Sequence, residues 1–215
     1  MSDCCSPRGY RQIFSERTAR SDARRYRRRG LDEVSQVIVR LARERGVANR
    51  TLLEVGGGVG AIEIELLKAG LARAVSVELT PTYEEEAGSL LRENRLEDRV
   101  ERRVLDFAQA GAGVEPADFV VLNRVLCCYP DMPLLAGAAA DHALGTLLMS
   151  FPNDRWWTRL AFTLLNAALR VTRRQFRVFL HAPDSILATA ERHGLRPTYN
   201  VSGRIWHVVA LERTA

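Results

Sequence analysis

The chain has 215 residues and a mass of 24.1 kDa, with 47% hydrophobic and 27% charged residues. This is the profile of one ordinary globular domain with a full core, and it excludes disordered and fibrous classes. The formal net charge is +5, and Lys68 is the only lysine, so 30 of the 31 basic residues are arginine.

The excess charge sits at the front, where residues 1–29 carry nine arginines against Asp3, Glu16 and Asp22. Trp156 to Leu169, the longest apolar candidate, is broken by Arg159 and Asn166, so no transmembrane span is expected. Met1 to Tyr10 lacks the apolar stretch of a secretory signal, which makes a cytoplasmic location the expectation. Cysteines occur as adjacent pairs, Cys4-Cys5 and Cys127-Cys128, a spacing that fits neither a zinc site nor a disulfide scaffold. They read as reduced thiols, and no metal site is expected.

Along the chain, Arg17 to Gly30 gathers six arginines from Arg20 to Arg29 around Tyr26, with Ser21-Asp22 as a helix start and Gly30 as its stop. Three roles stay open for this arm, residues 1–31: a solvated helix, a clamp over the cleft for an acidic ligand, or a phosphate-binding arm for nucleic acid. The periodicity then predicts a helix over 32–45, a strand over 51–55, a glycine turn over 56–60 and a helix over 61–69. Strands follow at 74–79, 100–105, 119–122 and 144–151, with helices at 82–94 and 133–143 between them. Such alternation predicts a Rossmann-like α/β fold: a seven-stranded mixed sheet with helices on both faces.

The last third departs from the alternation. An aromatic-rich helix is expected over 154–171, a strand-like piece over 176–180 and a helix over 184–193. Two strands, 196–201 and 205–212, flank Ser202-Gly203 and read as a C-terminal antiparallel β-hairpin. Trp157, Leu160, Ala161, Leu164, Leu165 and Ala168 form one stripe of the 154–171 helix. That stripe either packs on the sheet or a second subunit, giving a homodimer, or makes the insertion 152–182 a lid over the acceptor.

Leu52-Leu53-Glu54-Val55-Gly56-Gly57-Gly58-Val59-Gly60 runs a hydrophobic strand into a turn that opens a helix. Glycine there permits positive φ and lets a ligand approach backbone N–H groups. Glu78 lies 20 residues after Gly58, at the end of the next strand, where a carboxylate can accept both hydroxyls of a ribose. A nucleoside-bearing cofactor follows from the pair. Gly56-x-Gly58-x-x-Ala61 also satisfies a dinucleotide fingerprint, but Glu54 would repel a pyrophosphate and attract a cationic amino-acid moiety.

At these residues the chain resembles the class I S-adenosylmethionine-dependent methyltransferases, whose E/D-x-G-x-G-x-G motif is met by Glu54, Gly56, Gly58 and Gly60. Over residues 32–215 the resemblance implies S-adenosyl-L-methionine as cofactor, with Glu54 and the glycines near its methionine part. Glu78 and Leu79 would then meet the ribose, Asp106 and Phe107 the adenine, and Asn123 and Arg124 the methyl group and acceptor. Asp106 reads equally well as a helix N-cap.

On the acceptor side, Asn123-Arg124-Val125-Leu126 replaces the N-P-P-Y signature of amino-methyltransferases, and Cys127-Cys128 lacks the P-C arrangement of cytosine-C5 enzymes. Cys128-Tyr129-Pro130, Phe176-x-x-x-Leu180-His181 and Trp206-x-Val208 are similar to the magnesium protoporphyrin IX O-methyltransferases, although Cys128 stands where that family carries a histidine. The similarity implies O-methylation of a small, planar or acidic molecule, with His181 and Tyr129 as catalytic candidates. His181 also reads as an ordinary surface or capping histidine. An RNA methyltransferase using the basic arm and a non-catalytic cofactor-binding subunit are the alternatives.

Overall fold

The computed structural model describes residues 7–214. Its strands are β1 (Thr51–Val55), β2 (Arg73–Glu78), β3 (Val100–Val104), β4 (Ala117–Asn123), β5 (Ala143–Pro152), β6 (Leu195–Ser202) and β7 (Trp206–Arg213). They form one sheet in the order β3-β2-β1-β4-β5-β7-β6. The first five run parallel, and β7 enters antiparallel between β5 and β6. The chain winds outward from β1 to β3 and then starts again on the other side with β4. The crevice at the carboxyl ends of β1 and β4 is thereby the place where such a sheet binds ligands.

The helices are α1 (Pro7–Arg11), α2 (Glu16–Arg29), α3 (Glu33–Glu44), α4 (Ala61–Lys68), α5 (Glu84–Asn94), α6 (Phe107–Ala110), α7 (Met132–His142), α8 (Trp156–Val171) and α9 (Pro183–Arg192). Because strand side chains alternate, Leu53, Val120 and Leu122 point into a core with Leu135 and Ala139 of α7 and Ile186 of α9. Leu52, Phe119 and Val121 point the opposite way, onto Ala23 of α2, Ile38 of α3, Leu67 of α4 and Leu90 of α5. Both faces are covered, which is why the central strands read as unbroken apolar runs.

Several expectations are corrected. The basic helix starts at Glu16, capped by Ser15 accepting the Thr18 N–H, rather than at Ser21-Asp22. Its buried stripe is Ala19 and Ala23, too small to register as hydrophobic periodicity. The 82–94 segment divides into a 3₁₀ turn, Pro81–Tyr83, and α5. Residues 176–180 alternate like a strand yet join no sheet. The Asn166 side chain satisfies Val178 at both its N–H and its carbonyl, taking the place of a ladder neighbour. The hairpin is present as expected, closed by the Gly203 N–H donating to the Trp206 carbonyl.

The stripe on α8 does not pack on the sheet. Only Thr158 and Leu169 of that helix are buried. The Cys4-Cys5 pair lies outside the described residues.

Candidate cofactor and acceptor cleft

The turn after β1 is built from residues in the left-handed region: Gly56 at φ 68°, Gly58 at 63° and Gly60 at 76°. At Gly56 a Cβ would also stand 2.7 Å from Val125 Cγ2. The turn therefore demands glycine for conformation and for space. The Gly56 N–H donates to the Val77 carbonyl at 2.8 Å, tying the turn to β2.

Around this turn three carboxylates are buried together. Glu54 accepts the Glu63 N–H at 3.1 Å, and Glu78 Oε1 accepts the Gly58 N–H at 2.5 Å. Glu63, on α4, leaves its Oε2 buried without a partner. Arg102 of β3 reaches in from the edge of the sheet. It pairs with Glu63 at 3.3 Å and Glu84 at 3.0 Å, and donates to Ser76 Oγ and the Gly58 carbonyl.

One guanidinium does not neutralise this group. Burial pushes Glu63 and Glu78 up to about 7, with Arg102 opposing the rise in both. Burial and the neighbouring Glu63 raise Glu54 well above the usual carboxylate range. Such a site favours a ligand that brings positive charge and disfavours one that brings a pyrophosphate. The sulfonium and ammonium of S-adenosylmethionine fit that requirement.

A cavity of about 380 Å³ runs outward from the turn, within the size range of small-molecule sites, roughly 300–1,000 Å³. Glu54, Gly56, Gly58, Glu78, Leu79, Asp106, Phe107, Asn123 and Tyr129 all line it, so residues from four strand ends converge on one cleft. Gly60 and His181 do not line it. Gly60 instead stands as the N-cap residue of α4.

Asp106 is the helix N-cap that one of its two readings expects. It caps α6 by accepting the Ala108 N–H at 3.2 Å, and its carboxylate accepts the Tyr129 hydroxyl at 3.1 Å. Burial and Asp106 push the Tyr129 phenol up to about 12. His181 pairs through Nε2 with the Tyr129 carbonyl at 2.9 Å, which places it behind the cavity wall. Cys128 lines the cavity and Cys127 is buried beneath it, the sulfurs 3.8 Å apart.

At the end of β4, Asn123 is fixed by Ser35 Oγ at 3.1 Å and Ser150 Oγ at 2.6 Å. Arg124 follows at φ 62°, forks onto Asp32 at 2.6 and 3.2 Å and lies 4.8 Å from the centre of the Trp206 ring. Burial would raise Asp32, but Arg124 and the Ser35 N–H hold its carboxyl below the ordinary value. The Arg124 Nε is buried without a hydrogen-bond partner.

The outer wall comes from the N-terminal segment, whose place over the cleft is one of the three roles left open by the sequence, although the sequence does not single out the residues that form it. Tyr10, Phe14, Asp22, Arg25 and Tyr26 bring the basic segment over the cleft. It is held there by Tyr83 donating to Asp22 at 3.2 Å and Tyr26 donating to Glu65 at 2.6 Å. Most of its arginines point elsewhere; Arg27, for instance, is engaged by Glu93 and Glu86. Arg102 was missed as well, and an arginine in a strand beside an acid-rich segment is the only signal that marks it.

A methyltransferase-domain family model matches residues 23–199. No curated protein matches the sequence at a significant level. Among solved structures, the fold is similar to magnesium protoporphyrin IX methyltransferase from Synechocystis, at 18% identity, covering 96% of this chain and 98% of that one, with a TM-score of 0.71. An O-methyltransferase family protein from Burkholderia thailandensis gives 21% identity, 84% and 58% coverage and a TM-score of 0.63. Geranyl diphosphate C-methyltransferase from Streptomyces coelicolor gives 15% identity, 83% and 77% coverage and a TM-score of 0.66. With the family model spanning most of its length and its motif residues gathered at one cleft, the chain belongs to the methyltransferase-domain family and is a class I S-adenosylmethionine-dependent methyltransferase.

Proposed function

We propose that this enzyme O-methylates a small planar acid at a carboxylate oxygen. When bound, S-adenosylmethionine supplies an electrophilic methyl group on its sulfonium. Glu54 and the glycine turn would hold its methionine part, Glu78 and Leu79 its ribose, and Asp106 and Phe107 its adenine. The chain's remaining task is to align an acceptor oxygen and exclude water, and the walls formed by Tyr10, Phe14 and Tyr129 serve that purpose.

The observation that carries the carboxylate reading is the pairing of the acceptor-side groups. Asp32 is forked by Arg124, Asp22 lies 3.4 Å from Arg25, and Tyr129 stays protonated at neutral pH. None of these is poised to take a proton from a hydroxyl acceptor, whereas a carboxylate needs no base. Arg124 lines the cleft, where its guanidinium charge favours such an acceptor. Tyr129 lines the cleft with its hydroxyl held by Asp106, and His181 positions Tyr129 by holding its carbonyl. Two of the structural neighbours, from Burkholderia thailandensis and Planctomyces limnophilus, are O-methyltransferase family proteins by name, which supports the same chemistry.

The test is transfer of labelled methyl to a panel of planar carboxylic acids and phenols, followed by mild alkali. Release of the label identifies a methyl ester, as proposed. A stable label on the phenols alone assigns ether formation and refutes the carboxylate reading.

A further inference from the structure

Helix α8 is an apolar surface that the rest of the described chain leaves uncovered. Trp156, Leu164 and Val171 are 71%, 62% and 83% exposed, and Leu160, Leu165 and Trp157 are exposed beside them. At 100° per residue these six fall on one half of the helix, while Thr158, Phe162 and Leu169 face the protein. A continuous apolar face of this kind marks a contact surface.

Its rim is strongly basic. Residues 154–182 hold six arginines and a single acid, Asp154. Asp154 is taken by Arg159 at 2.6 Å, and Arg155 lies over the Trp157 ring. Arg170 and Arg173 are exposed and have no acidic partner among the described residues.

We propose that α8 is an interfacial helix that docks the enzyme on an anionic lipid surface. Trp and Leu enter the boundary between headgroups and acyl chains, and the arginine rim meets lipid phosphate and carboxylate. The helix has 16 residues, about 24 Å at the usual rise, which is short of the ~30 Å hydrocarbon core, so it lies on the surface rather than crossing it. Charge selects lipid over a second copy of the chain. Two such faces packed about a two-fold axis would bring arginine rims together with only Asp154, already taken by Arg159, to offset them.

The inner side of α8 gives the docking a consequence. Leu169 packs with Tyr10 and Phe176, and Tyr10 also lines the cleft. Docking brings that wall of the cleft to roughly one helix diameter, ~10 Å, from the lipid. The proposal does not depend on which acceptor the enzyme methylates.

The experiment mixes the full chain with vesicles of phosphatidylcholine alone and of phosphatidylcholine with phosphatidylserine, and follows co-sedimentation and tryptophan emission. The expected result is partitioning at least about tenfold stronger onto the anionic vesicles, a blue shift from Trp156 and Trp157, and weakening by salt. Leu160→Glu with Leu164→Glu should abolish binding. Both positions are exposed, so an unchanged melt and unchanged S-adenosylhomocysteine affinity verify the fold. Arg170→Glu with Arg173→Glu provides a second variant, which should lose the anionic preference. Equal or absent partitioning onto the two vesicle types, or leucine variants that bind like the parent, overturns the proposal. A dimer in solution that the leucine variants dissociate assigns the face to a second copy and overturns it too.

Discussion

Glu78 Oε1 accepts the Gly58 N–H at 2.5 Å, so the carboxylate ending β2 holds the glycine turn that follows β1. The same side chain faces the cleft where the ribose is proposed to lie. Glu78→Ala removes a charged hydrogen-bond acceptor from both, and should weaken S-adenosylhomocysteine binding by about 1.5–3 kcal/mol. Calorimetric titration of the variant checks this, and an unchanged affinity contradicts the assignment.

The buried carboxylates predict a pH dependence with a definite sign. Glu63 and Glu78 titrate near 7 in the folded chain and near the ordinary 4.5 once unfolded. Their contribution to stability is therefore complete below about pH 4.5 and is lost as the pH rises through 7. For Glu78 the loss is on the order of 3 kcal/mol. Thermal melts of the ligand-free protein between about pH 5 and pH 8 should fall more steeply than those of Glu78→Gln. Parallel curves for the two would show that Glu78 is not destabilised by its burial.

Gly56 meets two constraints at once, a φ of 68° and the approach of Val125. Gly56→Ala should cost about 1–3 kcal/mol from backbone strain alone. In a chain of this length that lowers the melting temperature by at least ~2–4 °C for each kcal/mol. Cofactor affinity should fall with it. A variant that melts and binds like the parent would mean the turn tolerates a side chain.

On the acceptor side, Arg124→Gln should raise KM for an acidic acceptor about tenfold while leaving S-adenosylhomocysteine affinity within a factor of two, the loss of one charge-assisted hydrogen bond. His181→Ala should lower kcat through Tyr129 and spare cofactor affinity. Steady-state kinetics with calorimetry separates these outcomes, and an unaltered kcat makes His181 purely structural.

Much of the cofactor half was legible in the sequence because its constraints are local. β1 falls at Thr51–Val55 as the apolar run predicts, and the distance from Gly58 to Glu78 follows from one helix and one strand. The rest depends on contacts between distant segments. Asp22 and Tyr26 join the cleft only through Tyr83 and Glu65, 61 and 39 residues away in sequence. Arg102 sits in a strand whose pattern gives no sign that its side chain will be buried among Glu63, Glu84 and Ser76. Phe176 to Leu180 carries the alternation of a strand, but the Asn166 side chain takes the backbone bonds of Val178, and the Phe179 N–H donates to the Cys127 carbonyl of a turn rather than to a strand.

Calorimetric titration with S-adenosylmethionine, S-adenosylhomocysteine, NAD and NADP decides whether the acidic glycine-turn cleft takes a cationic nucleoside cofactor. The first two should bind and neither dinucleotide should. Binding of NAD or NADP without S-adenosylmethionine would contradict the cofactor assignment.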